Sequence, residues 1–273
     1  MKIFTKLIIL CFLLSFLLLF GVYFYKQKLI MGGPALAREG GIISLQPAVT
    51  EILFEIGAGD DVVAVSTFCN YPPAVKKLPK VGDSFSADME AIVTLDPSAV
   101  YIGENSPELE ARLEDLDIPT VIVPDAQSVP DIYFNITLIA MTQGKDADKL
   151  IASLQKAAGA KPSVKYRAFI EIDDGLWTAG SQSFISDLVE YAGLENIYKD
   201  VASGYFQVSL EDILKRNPDI IINIKTAFKR NNPLPKELQN KKAIALDPDI
   251  YARPAPRAIR GISHLKGKVN EIR

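Results

Sequence analysis

The segment DMEAIVTLDPSAVYIG (88–103) returns as SLEDILKRNPDIIINI (209–224) at a constant displacement of 121 positions. Glu90 falls on Glu211, Ile92 on Ile213 and Pro97 on Pro218. Each copy reads as a short helix, a proline-marked turn and an apolar run of strand type. Carried back, the register sets Phe85 on Phe206, so an aromatic loop precedes each copy. An internal repeat of this length restricts the chain to two related halves built from strand–helix units.

The remaining pattern agrees. IISL (42–45), VVAVS (62–66), AVYIG (99–103) and TVIVP (120–124) read as strands in the first half. RAFIEI (167–172), DIIINI (219–224) and AIALDP (243–248) do so in the second. Helical spacing fills the gaps: after Pro47 as far as Gly57, over 88–95, over 107–116, and in FISDLVEYAG (184–193). The expected fold is α/β: two lobes, each with a central, mainly parallel sheet flanked by helices. DADKLIASLQKAAGA (146–160) supplies a single long helix to join them, which disfavours large hinge closure. The expected divisions are a leader over 1–37, a first lobe over 38–140, a connecting helix over 141–163 and a second lobe over 164–273.

Leu7–Tyr25 is an almost unbroken apolar run preceded by Lys2 and Lys6, the pattern of an export signal. At about nineteen residues it is also long enough to cross a bilayer, so cleavage and retention as a membrane anchor both stay open. Residues 1–37 hold four of the 30 basic residues and no acids, which leaves 26 bases against 33 acids, a net charge of −7. An acidic exported domain is a poor nucleic-acid binder. Of two cysteines only Cys69 lies beyond the leader, so an internal disulfide or a CxxC zinc site is excluded. The single histidine, His264, makes a transition-metal site implausible, and no metal ligands are expected. GISHL is not a nucleophile elbow, and neither a phosphate loop nor a full dinucleotide fingerprint occurs. These absences point to a binder; an exported enzyme would have only Asp173, Asp174 and Asp249 for acid–base work.

In parallel α/β sheets ligands sit beyond the carboxyl ends of the strands. Applied here, that rule gathers Tyr71 of STFCNYPP, Trp177 of DDGLWTAGSQS, Phe85, Tyr205 and Phe206 ahead of the repeated helices, and Asp249, Tyr251 and Arg253 of DPDIYARPAPR. Aromatic faces with one acid and one arginine suit a large flat ligand with polar edges. Duller roles are open to each: Tyr71 as a loop cap, Trp177 as core, Arg253 as a surface partner of Asp249. Glu90 and Glu211 are either helix N-terminal acids that complement the dipole or matched acidic points for a partner.

With those residues placed, the chain resembles the periplasmic binding proteins of iron-siderophore and cobalamin ABC importers. The likeness runs over about 41–265. It is carried by IISLQPAVTEILFEIGAGDDVVAVSTFCNYPP, LPKVGDSFSADMEAIVTLDPSAVYIG, WTAGSQSFISDLVEYAGLENIY, QVSLEDILKRNPDIII and RPAPRAIRGISHL. It implies a monomeric extracytoplasmic receptor, not an enzyme, that holds ligand between its lobes and hands it to a membrane permease with its ATPase. It further implies docking through Glu90 and Glu211. The Tyr-Pro-Pro and Asp-x-x-x-Arg loops look most like those of cobalamin binders, where Tyr71, Trp177, Tyr205, Asp249 and Arg253 would face a corrinoid. The resemblance implies no resident cofactor, the ligand being itself a metal complex, cobalamin or a ferric chelate. A ferric siderophore or haem is the alternative within the class, and a membrane-tethered ligand sensor is an alternative outside it.

Overall fold

The computed structural model describes residues 40–224 and 234–272, so the apolar leader lies outside the described residues. The first half runs β1 (Ile42–Ser44), α1 (Pro47–Glu55), β2 (Val62–Val65), α2 (Met89–Leu95), β3 (Ala99–Gly103), α3 (Pro107–Glu114), β4 (Thr120–Val123) and α4 (Val129–Thr142). The second runs α5 (Asp148–Ala158), β5 (Tyr166–Glu171), β6 (Trp177–Ala179), α6 (Phe184–Glu190), β7 (Leu194–Asn196), β8 (Tyr205–Gln207), α7 (Leu210–Arg216), β9 (Ile220–Asn223), β10 (Lys242–Ala245), α8 (Pro248–Tyr251) and α9 (Pro256–Asn270).

Two four-stranded sheets result, ordered β2-β1-β3-β4 and β10-β9-β5-β7. All pairings within them are parallel. Read from the other edge, the second order is β7-β5-β9-β10, which matches the first strand for strand: β1 with β5, β3 with β9, β4 with β10. The sequence repeat therefore corresponds to a repeated topology. It extends to the ends of the helices. Asp88 and Ser209, 121 apart, cap α2 and α7, each accepting the backbone N–H three residues on. At the other ends Asp96 (φ 43°) and Asn217 (φ 47°), again 121 apart, take the left-handed conformation that stops a helix. Asp and Asn tolerate that region better than most residues with a Cβ.

Where a single connecting helix over 141–163 is expected, α4 ends at Thr142 and α5 runs from Asp148 to Ala158, eleven residues or about 16 Å of rise, with a turn at Gly144 between them. The apolar side of α5 packs along α9, and Lys266 Nζ on α9 donates to the Ala158 carbonyl at 2.7 Å. One core cluster is continuous through both halves, from Ile42 and Leu53 on one side to Ile222 and Leu265 on the other.

The reading of DDGLWTAGSQS as a loop needs correction. Its WTA forms β6 and pairs antiparallel with β8, Trp177 opposite Gln207. The two strands are three residues each and lie far apart in sequence, so neither shows a local alternation long enough to recognise. The same brevity hid β7.

Candidate functional site

A cavity of about 460 Å³ opens between the lobes at the carboxyl edges of both sheets. Glu104 and Asn105 follow β3, and Asp125, Ala126 and Gln127 follow β4. The second lobe contributes Gln182, Ser183 and Phe184 at the start of α6, Tyr205 from β8, and Ala252 and Pro254 after α8. Deeper in the second lobe, a chamber of about 200 Å³ shares Phe184, Tyr205 and Ala252 and is otherwise lined by Ile172, Ile185, Ile224 and Tyr251. The cleft thus has a polar, uncharged-to-acidic mouth above an apolar floor. Among the described residues, none that lines either space is basic.

The expected aromatic wall is only partly assembled here. Tyr205 stands in the cleft, and Tyr251 closes the floor, its hydroxyl donating to the Gly261 carbonyl at 2.7 Å. Phe206 does not join them: alternation along β8 turns it inward, edge-on to Tyr198 with centroids 5.6 Å apart. Phe85 is 92% exposed, and Trp177 is 41% exposed on the β6–β8 ribbon. Tyr71 lines a separate space of about 360 Å³ with Arg257, Arg260 and His264. Its ring face, expected to stack on ligand, lies against the Arg257 guanidinium, 3.8 Å from the centroid. Asp249 and Arg253 are paired with each other at 2.7 Å.

A family model described as periplasmic binding protein matches residues 42–246. The chain belongs to this family. An uncharacterized ABC transporter substrate-binding lipoprotein, YvrC, of Bacillus subtilis (strain 168) is 32% identical over 82% of this chain and 78% of its own. The vitamin B12-binding protein of Vibrio vulnificus (strain CMCP6) is 28% identical over 82% of this chain and 88% of its own. The crystal structure of the periplasmic haem-binding protein HutB of Vibrio cholerae superposes with a TM-score of 0.73, covering 85% of this chain and 99% of that one. At 19% identity this last likeness speaks for the fold alone. This periplasmic binding protein is therefore the substrate-binding component of an ABC importer. It works outside the cytoplasm, alongside a permease and ATPase, on a small-molecule ligand. The family consists of binding proteins and not of enzymes.

Beside the cleft, polar side chains tie the two lobes together. Glu51 of α1 is 1% exposed, and Arg257 of α9 grips both its oxygens, Nε at 2.8 Å and a terminal nitrogen at 2.5 Å. Arg253 approaches the same carboxylate at 3.7 Å. Arg253 also donates to Asn70 Oδ1 at 2.7 Å, and Asn70 Nδ2 donates to Asp249 at 3.0 Å. At the edge, Arg260 makes a second two-pronged contact with Glu55. Burial pulls the Arg257 pKa down, but its hydrogen bond and charge pairing with Glu51 outweigh this and leave it raised. Sequence reasoning found Arg253 and Asp249 but missed Glu51, Asn70 and Arg257. A glutamate amid the apolar run AVTEILFEI was the available signal, since a charge on a buried helix face needs a partner.

At the cleft mouth, partial loss of water and the neighbouring Glu104 charge raise the Asp125 pKa, against a hydrogen bond from Asn105. The Asp125 backbone N–H donates to Glu104 Oε1 at 3.0 Å, which brings the two acids together. The folded chain consequently holds the Asp125 proton more tightly than the unfolded chain does, and stability falls as pH rises through that titration. Asp125→Asn should therefore raise the melting temperature near neutral pH. The gain should shrink as pH is lowered through the carboxylate range, a trend that calorimetry at stepped pH would follow.

Proposed function

We propose that the ligand is a corrinoid, held in the cleft by its flat face and its amide rim, and delivered to the permease. The observation that carries this reading is the charge of the cleft. Glu104 and Asp125 sit with three amide side chains, Asn105, Gln127 and Gln182, and among the described residues none that lines the cleft is cationic. A ferric catecholate complex or the propionates of haem would bring negative charge against those acids. A corrinoid presents neutral amides, which pair with carboxylates and side-chain amides alike. Tyr205 adds an aromatic surface. Its pKa is pushed up to about 12 by loss of water and by the Asp125 charge. The relationship to a vitamin B12-binding protein supports the same choice. Glu90 and Glu211, both exposed in the first turns of α2 and α7, are assigned to docking on the permease.

Calorimetric titration of the protein with cyanocobalamin, cobinamide, haemin and a ferric catecholate siderophore tests the reading. Saturable binding of a corrinoid, with at least tenfold weaker binding of the anionic iron complexes, is expected from the charge difference. Preferential binding of haemin or the siderophore would overturn it.

A further inference from the structure

The two lobes differ in character at three of the seven aligned positions of α2 and α7, and what they have kept is informative. Ala91 faces Asp212 in the alignment of the repeat, Thr94 faces Lys215, and Leu95 faces Arg216. Retained are the helix caps, the half-buried Met89 and Leu210, the fully buried Ile92 and Ile213, and two exposed positions. One of these is the glutamate, Glu90 or Glu211. The other, three residues on, is a large apolar side chain: Val93, 50% exposed, and Leu214, 41% exposed. Residues three apart on a helix are neighbours on one face, their Cβ atoms about 5–6 Å apart. Each lobe therefore presents the same two-part surface, an acid with an apolar side chain about one turn behind it. Among the described residues neither glutamate has an ion-pair partner, unlike Glu51, Glu55, Glu190 and Glu195. The capping side chain and the left-handed stop fix each helix in the same frame, so the two surfaces stand alike on their lobes.

We infer that Val93 and Leu214 are docking residues, each entering an apolar notch beside a basic side chain on one of two equivalent halves of the permease. Charge complementarity selects the partner, since two unpaired acids call for two cations. The repeat selects its symmetry, because like surfaces on two lobes match like sites. The apolar pair supplies what exposed charges cannot. Ion pairs at a rim set encounter and are weakened by salt, whereas apolar contact persists at any ionic strength.

This inference rests on the docking reading of Glu90 and Glu211, and the two can fail separately. The experiment measures binding of the ligand-loaded protein to its own permease–ATPase complex in lipid nanodiscs over a range of salt concentrations. The double variant Val93→Ser/Leu214→Ser should bind about tenfold more weakly at every salt concentration, from the apolar area lost, with the salt slope unchanged. Glu90→Gln/Glu211→Gln should weaken binding and flatten the slope. The volume-exchanging variant Val93→Leu/Leu214→Val should bind as the parent does, and ligand affinity should stay unchanged in all three. Parent-like docking by the serine variant, beside impaired docking by the glutamine variant, overturns this inference and leaves the docking reading standing. Parent-like docking by both overturns the docking reading as well. Leucine's extra methylene accounts for up to about fourfold between the single serine variants; if they differ by more than about tenfold, the two halves of the partner are not equivalent and the symmetry is refuted.

Discussion

Glu51→Ala should destabilise the protein by about 3–5 kcal/mol. The carboxylate is 1% exposed and both its oxygens are engaged by Arg257, whose own side chain is 17% exposed. Removing it leaves the Arg257 guanidinium largely out of water with no carboxylate paired to it, only the Tyr71 ring face and the Asp249 carbonyl, and withdraws a counter-charge from Arg253 as well. For a chain of this size that loss corresponds to a fall in melting temperature of roughly 10 °C, measurable by circular dichroism. Glu55→Ala is the control. Its partner Arg260 is 43% exposed, so water replaces the lost contact and the change should cost about 1 kcal/mol or less. Equal effects of the two substitutions would mean that Glu51 is not carrying a desolvated pair. The double variant Glu51→Ala/Arg257→Ala should be less damaging than the sum of the singles, since no orphaned charge is left.

The elements legible in the sequence were those whose environment is uniform along their length. β1, β3 and β9 are buried on both faces, and IIS, AVYIG and IIIN read as apolar runs for that reason. Pro47 and Gly57 mark helix ends, and Pro97 and Pro218 the turns after α2 and α7, through local backbone chemistry, which needs no knowledge of the fold. The carboxyl-edge rule likewise located the cleft, because it follows from parallel topology alone. What it did not select was the lining. It was applied to the aromatic residues, whereas the mouth is built largely from Glu104, Asn105, Asp125, Gln127 and Gln182, polar loop residues that look like any solvated turn. The seam was illegible for another reason. Glu51 and Arg257 are 206 positions apart, and no local pattern couples them. Tyr71 shows the two effects together: its place after β2 was readable, yet its ring face is taken by an arginine from the far end of the chain.

Tyr205 and Phe206 give the second large effect, and their adjacency makes it discriminating. Alternation in β8 sends one ring into the cleft and the next into the core beside Tyr198 and Phe169. Tyr205→Ala removes an aromatic face shared by the polar mouth and the apolar floor. Ligand should dissociate about 10- to 100-fold more readily, the scale of one lost aromatic contact of about 1.5–3 kcal/mol, with the melting temperature of the free protein little changed. Phe206→Ala should do the reverse. It leaves a void beneath Tyr198 and should cost about 3 kcal/mol of stability, while the surviving folded protein binds ligand with near-parental affinity. Titration calorimetry and thermal unfolding on the same two preparations separate these outcomes. If Phe206→Ala weakens binding as much as Tyr205→Ala does, then the ligand reaches past β8 and the cleft is not bounded by Tyr205. If neither affects binding, the ligand sits elsewhere, and the space lined by Tyr71, Arg257 and His264 becomes the site to test.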